Sequence, residues 1–232
     1  AMLEAKIAAL EGTDACLCTA SGMAAASAIF MTLLSAGDHV VVSDISYAGV
    51  AELARNTLPR FGIAVSLADL SDPANLAAAI RPNTRLVHCE SPVNPICRLT
   101  DLAAISRIAH AAGALVSCDN TFASPIGQTP AALGVDLVMH SATKYLCGHG
   151  DAVGGAVAGP ADLIARLRLE AGIHHGGVLS PFNAWLIARG AATLPIRMAA
   201  HARGAQGVAE WLETRAAVSR VIYPGLPSHP QH

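Results

Sequence analysis

Between residues 15 and 157 the chain repeats one pattern: short apolar runs of strand length alternate with alanine-rich segments of helical spacing. The runs at 15–19, 39–43, 63–67, 86–89, 114–118 and 135–139 are continuously apolar rather than alternating, as strands covered on both faces are. Helical spacing marks 2–11, 24–34, 50–58, 72–80, 102–112 and 160–168, and runs from 181 past 207. Gly12, Gly37 and Gly113 follow three of these segments, where a helix-ending glycine belongs. Such alternation predicts an α/β fold, a doubly wound and mostly parallel sheet flanked by helices, with ligands at the carboxyl ends of the strands.

Composition agrees with a large buried core and excludes several classes of function. The chain is 53% hydrophobic and 14% charged, with a mean hydropathy of +0.44. No apolar run reaches the roughly 18 residues a membrane span needs. The first residues form neither a basic region nor a signal core, so a cytoplasmic protein without a membrane partner is expected. Net charge is −2 and no basic cluster is present, which leaves no support for nucleic-acid binding. The six cysteines include no C-x-x-C pair, and the adjacent His174 and His175 would splay apart in a loop spanning 172–177. No metal site or disulfide framework is expected, and the thiols fit a reducing compartment.

Chemistry concentrates where the predicted strands end. The run at 135–139 empties into His140-Ser141-Ala142-Thr143-Lys144 and a glycine-rich turn. Only two lysines, Lys6 and Lys144, stand against thirteen arginines. A solvated loop cation is the ordinary reading of a lone lysine, but arginine cannot replace lysine where a primary amine must condense with a carbonyl. Ser141 and Thr143 flank Lys144 at alternate positions and can hydrogen-bond an anion. Ser21-Gly22-Met23 precedes a helix, where free N–H groups and the helix dipole favour an anion; a plain helix cap is the alternative. Tyr47 follows the strand at 39–43 and is either an exposed stacking ring or a core-edge tyrosine. Two prolines fix the turn around Asn94, which could equally form an Asx-turn. Asp119 ends the strand at 114–118 and could cap a turn; Asp136 lies inside a strand and ranks below it.

The motifs Ser21-Gly-Met23, Glu90-Ser-Pro-Val-Asn94-Pro, Asp119-Asn-Thr121-Phe-Ala-Ser-Pro125, Ser141-Ala-Thr-Lys144-Tyr, Leu179-Ser-Pro-Phe-Asn-Ala-Trp185 and Tyr223-Pro-Gly-Leu-Pro-Ser-His-Pro230 occur in this order. Together they resemble the pyridoxal-phosphate (PLP) enzymes of Cys/Met metabolism, which include cystathionine γ-synthase, cystathionine lyases, methionine γ-lyase and O-acylhomoserine sulfhydrylases. The resemblance implies fold type I of the PLP-dependent transferases. It also implies elimination or replacement at the γ- or β-carbon of a sulfur amino acid such as homocysteine, cystathionine, methionine or an acylhomoserine. By resemblance Lys144 carries the cofactor and shuttles protons, as a free base favoured by burial and a neighbouring cation. Asp119 pairs with the ring nitrogen, Tyr47 stacks on the ring, and Asn94 and Thr121 lie beside it. Ser21, Gly22, Met23, Ser141 and Thr143 hold the phosphate.

Methionine γ-lyases carry a cysteine where this chain has Gly49, a departure from that subgroup. The resemblance further implies a large PLP-binding domain over 1–215 and the start of a smaller C-terminal domain over 216–232, beginning with a strand at 218–224. Family members extend further at both ends, where they supply a Tyr and an Arg to the neighbouring subunit's phosphate and an arginine for the substrate carboxylate. A homo-oligomer, a dimer of dimers, is therefore expected. The rival reading is a non-catalytic PLP-fold module without that carboxylate clamp.

Overall fold

A computed structural model describes all residues 1–232. Its centre is one seven-stranded sheet: β1 (Ala15–Thr19), β2 (His39–Ser43), β3 (Ala64–Ala68), β4 (Thr84–Glu90), β5 (Leu115–Asp119), β6 (Leu137–His140) and β7 (Gly155–Gly159). The spatial order is β1-β7-β6-β5-β4-β2-β3, with β3, β2, β4, β5 and β6 mutually parallel and β7 antiparallel to both its neighbours. The sequence reading located six of these strands to within a few residues. It did not single out β7, because Gly-Ala-Val-Ala-Gly is short, small and glycine-ended, the opposite of a β-rich composition. Small residues are required there: a side chain on Gly155 would meet the Ser21 carbonyl oxygen at 2.1 Å.

Helices cover both faces. They are α1 (Met2–Glu11), α2 (Gly22–Leu33), α3 (Ala48–Glu52), α4 (Pro73–Ala79), α5 (Leu102–Ala111), α6 (Ser124–Gly127), α7 (Ala161–Leu167), α8 (Pro181–Gly190) and α9 (Leu194–Glu213). Strand periodicity splits the core in two. Val40 and Val42 point into the cluster built with α2 and α7, while Val41 points into the cluster built with α4 and α5. All three valines are fully buried, so each strand is stabilised from both sides by about 1.5–3 kcal/mol per side chain. A third cluster joins α1 and α8 to β1 and β7.

Three expectations change. The helix expected at 50–58 runs from α3 into a π-helical turn, Leu53–Thr57, and a 3-10 turn, Leu58–Phe61, before Gly62 ends it at φ 74°. The first half of the loop expected at 172–177 belongs to a π-helical extension of α7, Arg168–His174, in which His174 pairs with Glu170 at 2.9 Å. The strand expected at 218–224 is absent; residues 216–232 form irregular chain and turns. A strand needs a hydrogen-bonded neighbour, and no strand of this chain runs beside that segment. Its end is tied instead to Leu99, whose N–H donates to Gln231 Oε1 and whose carbonyl accepts from Gln231 Nε2.

Candidate active site

Four parallel strands deliver their carboxyl ends to one side of the sheet, and a cavity of about 690 Å³ opens there. Every candidate cofactor residue named above lines it: Ser21, Gly22, Met23, Tyr47, Asn94, Asp119, Thr121, Ser141, Thr143 and Lys144. Asp136 does not. It lies at the opposite end of β6, where Oδ2 accepts from the Val116 N–H at 2.7 Å and from His110 at 2.8 Å.

The first wall is the N-terminus of α2. Ser21 is its cap, its hydroxyl accepting from the Ala24 N–H at 3.1 Å, and the N–H groups of Gly22 and Met23 therefore have no intrahelical partner. Those two donors and the helix dipole face the cavity beside Ser141. Gly22 is needed for that closeness, because a Cβ on it would stand 2.8 Å from Ser141 Cβ and 3.0 Å from its Oγ. Gly22→Ala must push the end of β6 away. Affinity for a phosphate-bearing cofactor is expected to fall about ten- to a hundredfold, by titration of the cofactor-stripped protein. An unchanged dissociation constant would remove Gly22 from the anion site.

The second wall brings β2, β4 and β5 together. Asp119 ends β5, is 6% exposed, and its Oδ1 accepts from the Thr121 N–H at 3.0 Å. Thr121 in turn accepts from the Ser141 N–H at 2.7 Å, so its hydroxyl oxygen joins the ends of β5 and β6. Tyr47 is 48% exposed, and its ring edge lies over Gly49. A Cβ at Gly49 would stand 2.7 Å from Met23 Sδ and 2.9 Å from Tyr47 Cε1, so a side chain there, such as cysteine, would displace both.

Lys144 stands exposed in the cavity, and its amine has no hydrogen-bond or ionic partner in the protein. The burial expected around it is not found. Thr143 also lines the cavity, but its hydroxyl donates to the Gly154 carbonyl and accepts from the Gly154 N–H, both at 3.1 Å, which leaves no free proton for an anion.

The sequence reading missed Glu90, Arg197 and His201, which line the same cavity. Arg197 Nε and Nη2 donate to Thr193 Oγ1 and the Gly190 carbonyl, and its Nη1 is buried without a partner. Nothing in local sequence marks Arg197 or His201, because α9 reaches the site only through tertiary contacts, Arg197 against Gly148 and His201 with its ring 5.5 Å from that of Tyr145. A buried polar group behind the strand ends was equally invisible. Glu11 of α1 accepts from Asn120 Nδ2 at 2.9 Å and pairs with His140, gripping the residues next to Asp119 and Ser141.

These groups fit pyridoxal phosphate. Two free N–H groups and the Ser141 hydroxyl suit a phosphate, in a niche that a single Cβ would fill. A buried carboxylate, an exposed aromatic ring and an unpartnered primary amine suit the ring nitrogen, ring face and aldehyde.

Comparison with known proteins agrees with this chemistry. The chain is 49% identical over 233 residues to an O-succinylhomoserine sulfhydrylase of Pseudomonas aeruginosa, covering 99% of this chain and 57% of that protein. It is 46% identical over 231 residues to a canavanine gamma-lyase of Pseudomonas canavaninivorans, covering 99% and 58%. The crystal structure of metB from Corynebacterium glutamicum superposes with a TM-score of 0.96 at 40% identity, covering 98% of this chain and 59% of that one. The chain thus spans somewhat more than half the length of the relatives it matches. Residues 1–232 match in full the family described as Cys/Met metabolism PLP-dependent enzyme, and the chain belongs to that family.

Proposed function

We propose that the protein is a PLP-dependent enzyme of sulfur amino-acid metabolism that makes or breaks a bond at the γ- or β-carbon of an amino acid. The observation that carries this reading is Lys144: a partnerless primary amine that lines one cavity with a buried carboxylate and an open helix N-terminus. When bound, the cofactor supplies an aldehyde and an electron-withdrawing ring.

The chain's own residues divide the remaining work. Lys144 would hold the cofactor through its amine and would move protons at the α- and β-carbons of the substrate. Asp119, held by the Thr121 N–H, keeps the ring nitrogen protonated. Tyr47 covers one ring face, with Asn94 and Thr121 at its edge. Gly22, Met23, Ser21 and Ser141 hold the phosphate, and Thr143 braces the lysine turn through Gly154. Residues 1–215 form the PLP-binding domain, and 216–232 belong to a smaller one.

Acylhomoserine replacement, the activity in the name of the Pseudomonas aeruginosa relative, is the favoured reaction class. Gly49 tells against methionine, because it departs from the cysteine of methionine γ-lyases. The six free cysteines support a cytoplasmic setting. Exposed apolar side chains at Ile173, Val178, Phe182 and Trp185 support a homo-oligomer, a dimer of dimers, with sites at the interface. Light scattering of the full protein should show a dimer or tetramer, and a monomer saturated with PLP would overturn that placement.

The deciding experiment adds PLP, then O-succinylhomoserine with sulfide, cystathionine, cysteine or methionine. Visible cofactor absorbance with product from at least one substrate supports the proposal. Absorbance with no product from any substrate would favour the non-catalytic module, and no absorbance would remove the cofactor assignment.

A further inference from the structure

Glu90 is a buried carboxyl in the cavity to which none of the roles above gives a task. It is the last residue of β4, the strand between β2 and β5, and it stands in register with Asp119 at the end of β5. It is 5% exposed. Each of its two oxygens is engaged: Oε2 accepts from the Tyr47 N–H at 2.7 Å, and Oε1 accepts from the Asn94 N–H at 3.0 Å. Tyr47 comes from the loop after β2 and Asn94 from the turn after β4, so one side chain joins two segments that are otherwise linked by the Arg98–Asp44 pair.

The need for such a joint follows from exposure. Tyr47 is half exposed, so packing alone does not fix the direction of its ring. The backbone at Tyr47 sets where the ring starts; its carbonyl accepts from the Val50 and Ala51 N–H groups of α3, and its N–H is held by Glu90. We infer that Glu90 is a positioning residue: its carboxylate locks the main chains of Tyr47 and Asn94 at a set separation and so fixes the plane in which the cofactor ring lies. This inference rests on the assignment of the cavity to PLP.

A carboxylate is the side chain the joint requires, because it alone offers two acceptors and no donor. Gln has nearly the same shape but one acceptor, and its NH₂ would face one of the two N–H donors. Placing a carboxylate there is costly. Burial first, and the neighbouring Asp119 charge second, push Glu90 up to about 7, while the N–H groups of Asn94 and Tyr47 pull the other way. A positive charge paired with Asp119 removes the second of these penalties, so the clamp is strongest when the ring nitrogen carries a proton.

The test compares wild-type protein with Glu90→Gln by PLP titration of cofactor-stripped samples, and by visible circular dichroism of the bound cofactor relative to its absorbance. The expected result is a dissociation constant raised about ten- to a hundredfold and a reduced dichroism-to-absorbance ratio. The thermal midpoint of the stripped protein should fall by a few degrees, because one buried N–H loses its acceptor, so the dichroism-to-absorbance ratio is the readout that a merely structural role would not move. Wild-type affinity, or weakened affinity with an unchanged ratio, would overturn the inference, since ring orientation would then not depend on Glu90. If Glu90→Gln does not fold, Glu90→Asp keeps the charge but is too short to reach both N–H groups. It carries the same expectations, and wild-type values there would overturn the inference. A wild-type protein that takes up no PLP would instead refute the cofactor assignment beneath it.

Discussion

Lys144→Ala is expected to eliminate both the visible absorbance of the lysine-linked cofactor and all turnover, while the fold stays intact. The amine has no partner in the protein, so its removal deletes no hydrogen bond and no ion pair. Surface changes of this kind usually shift stability by no more than about 0.5 kcal/mol. The thermal midpoint of the cofactor-free variant should therefore match wild type. Lys144→Arg is the stricter control: it keeps the positive charge but offers no amine able to condense with an aldehyde. Borohydride treatment followed by mass measurement should fix a cofactor adduct on the wild type and on neither variant. An adduct that survives in Lys144→Ala would mean that another amine, with Lys6 the only other lysine, does this work.

The second large effect is expected at Asp119. Asp119→Asn keeps the shape and the Oδ1 that accepts the Thr121 N–H, so the strand end and the Thr121–Ser141 link should survive. What it removes is a charge in a site that is 6% exposed, where charge is weakly screened. Cofactor should still bind through Lys144 and the α2 N-terminus. Turnover should fall by at least about a hundredfold, the scale on which losing one preorganised electrostatic group acts. A secondary effect is readable at Glu90, since the Asp119 charge is the second cause of that carboxyl's rise to about 7. In cofactor-free Asp119→Asn, Glu90 should titrate lower. A carboxyl with a raised folded pKa contributes stability below its unfolded value and loses it as pH rises through the folded one. The stability that wild-type protein loses between about pH 4.5 and pH 7 should therefore be smaller in the variant. Near-normal turnover in Asp119→Asn would show that ring protonation does not depend on this residue.

Sequence alone determined the strand and helix alternation, because fully buried parallel strands must be continuous apolar runs and the helices between them carry their own spacing and caps. It also located the chemistry, since doubly wound sheets bind at carboxyl ends, Asp119 ends its strand, and Asn94 and Lys144 lie in the turns just after theirs. Ser21 as a cap with Gly22 behind it was legible for the same local reason. Other features were decided only by tertiary structure. Thr143 looked free for an anion, yet its hydroxyl is closed on Gly154, eleven residues away and brought back by β7. Lys144 was expected to be buried and is exposed, because exposure depends on what folds over the lysine turn rather than on the turn itself. Arg197 and His201 join the site only through the path of α9. Glu90 was visible as a letter in a motif, but its hold on Tyr47, 43 positions earlier, exists only because β2 and β4 lie side by side. Periodicity and caps are written in neighbouring residues and can be read there, whereas the partner of a buried polar atom is set by which strands the fold makes adjacent.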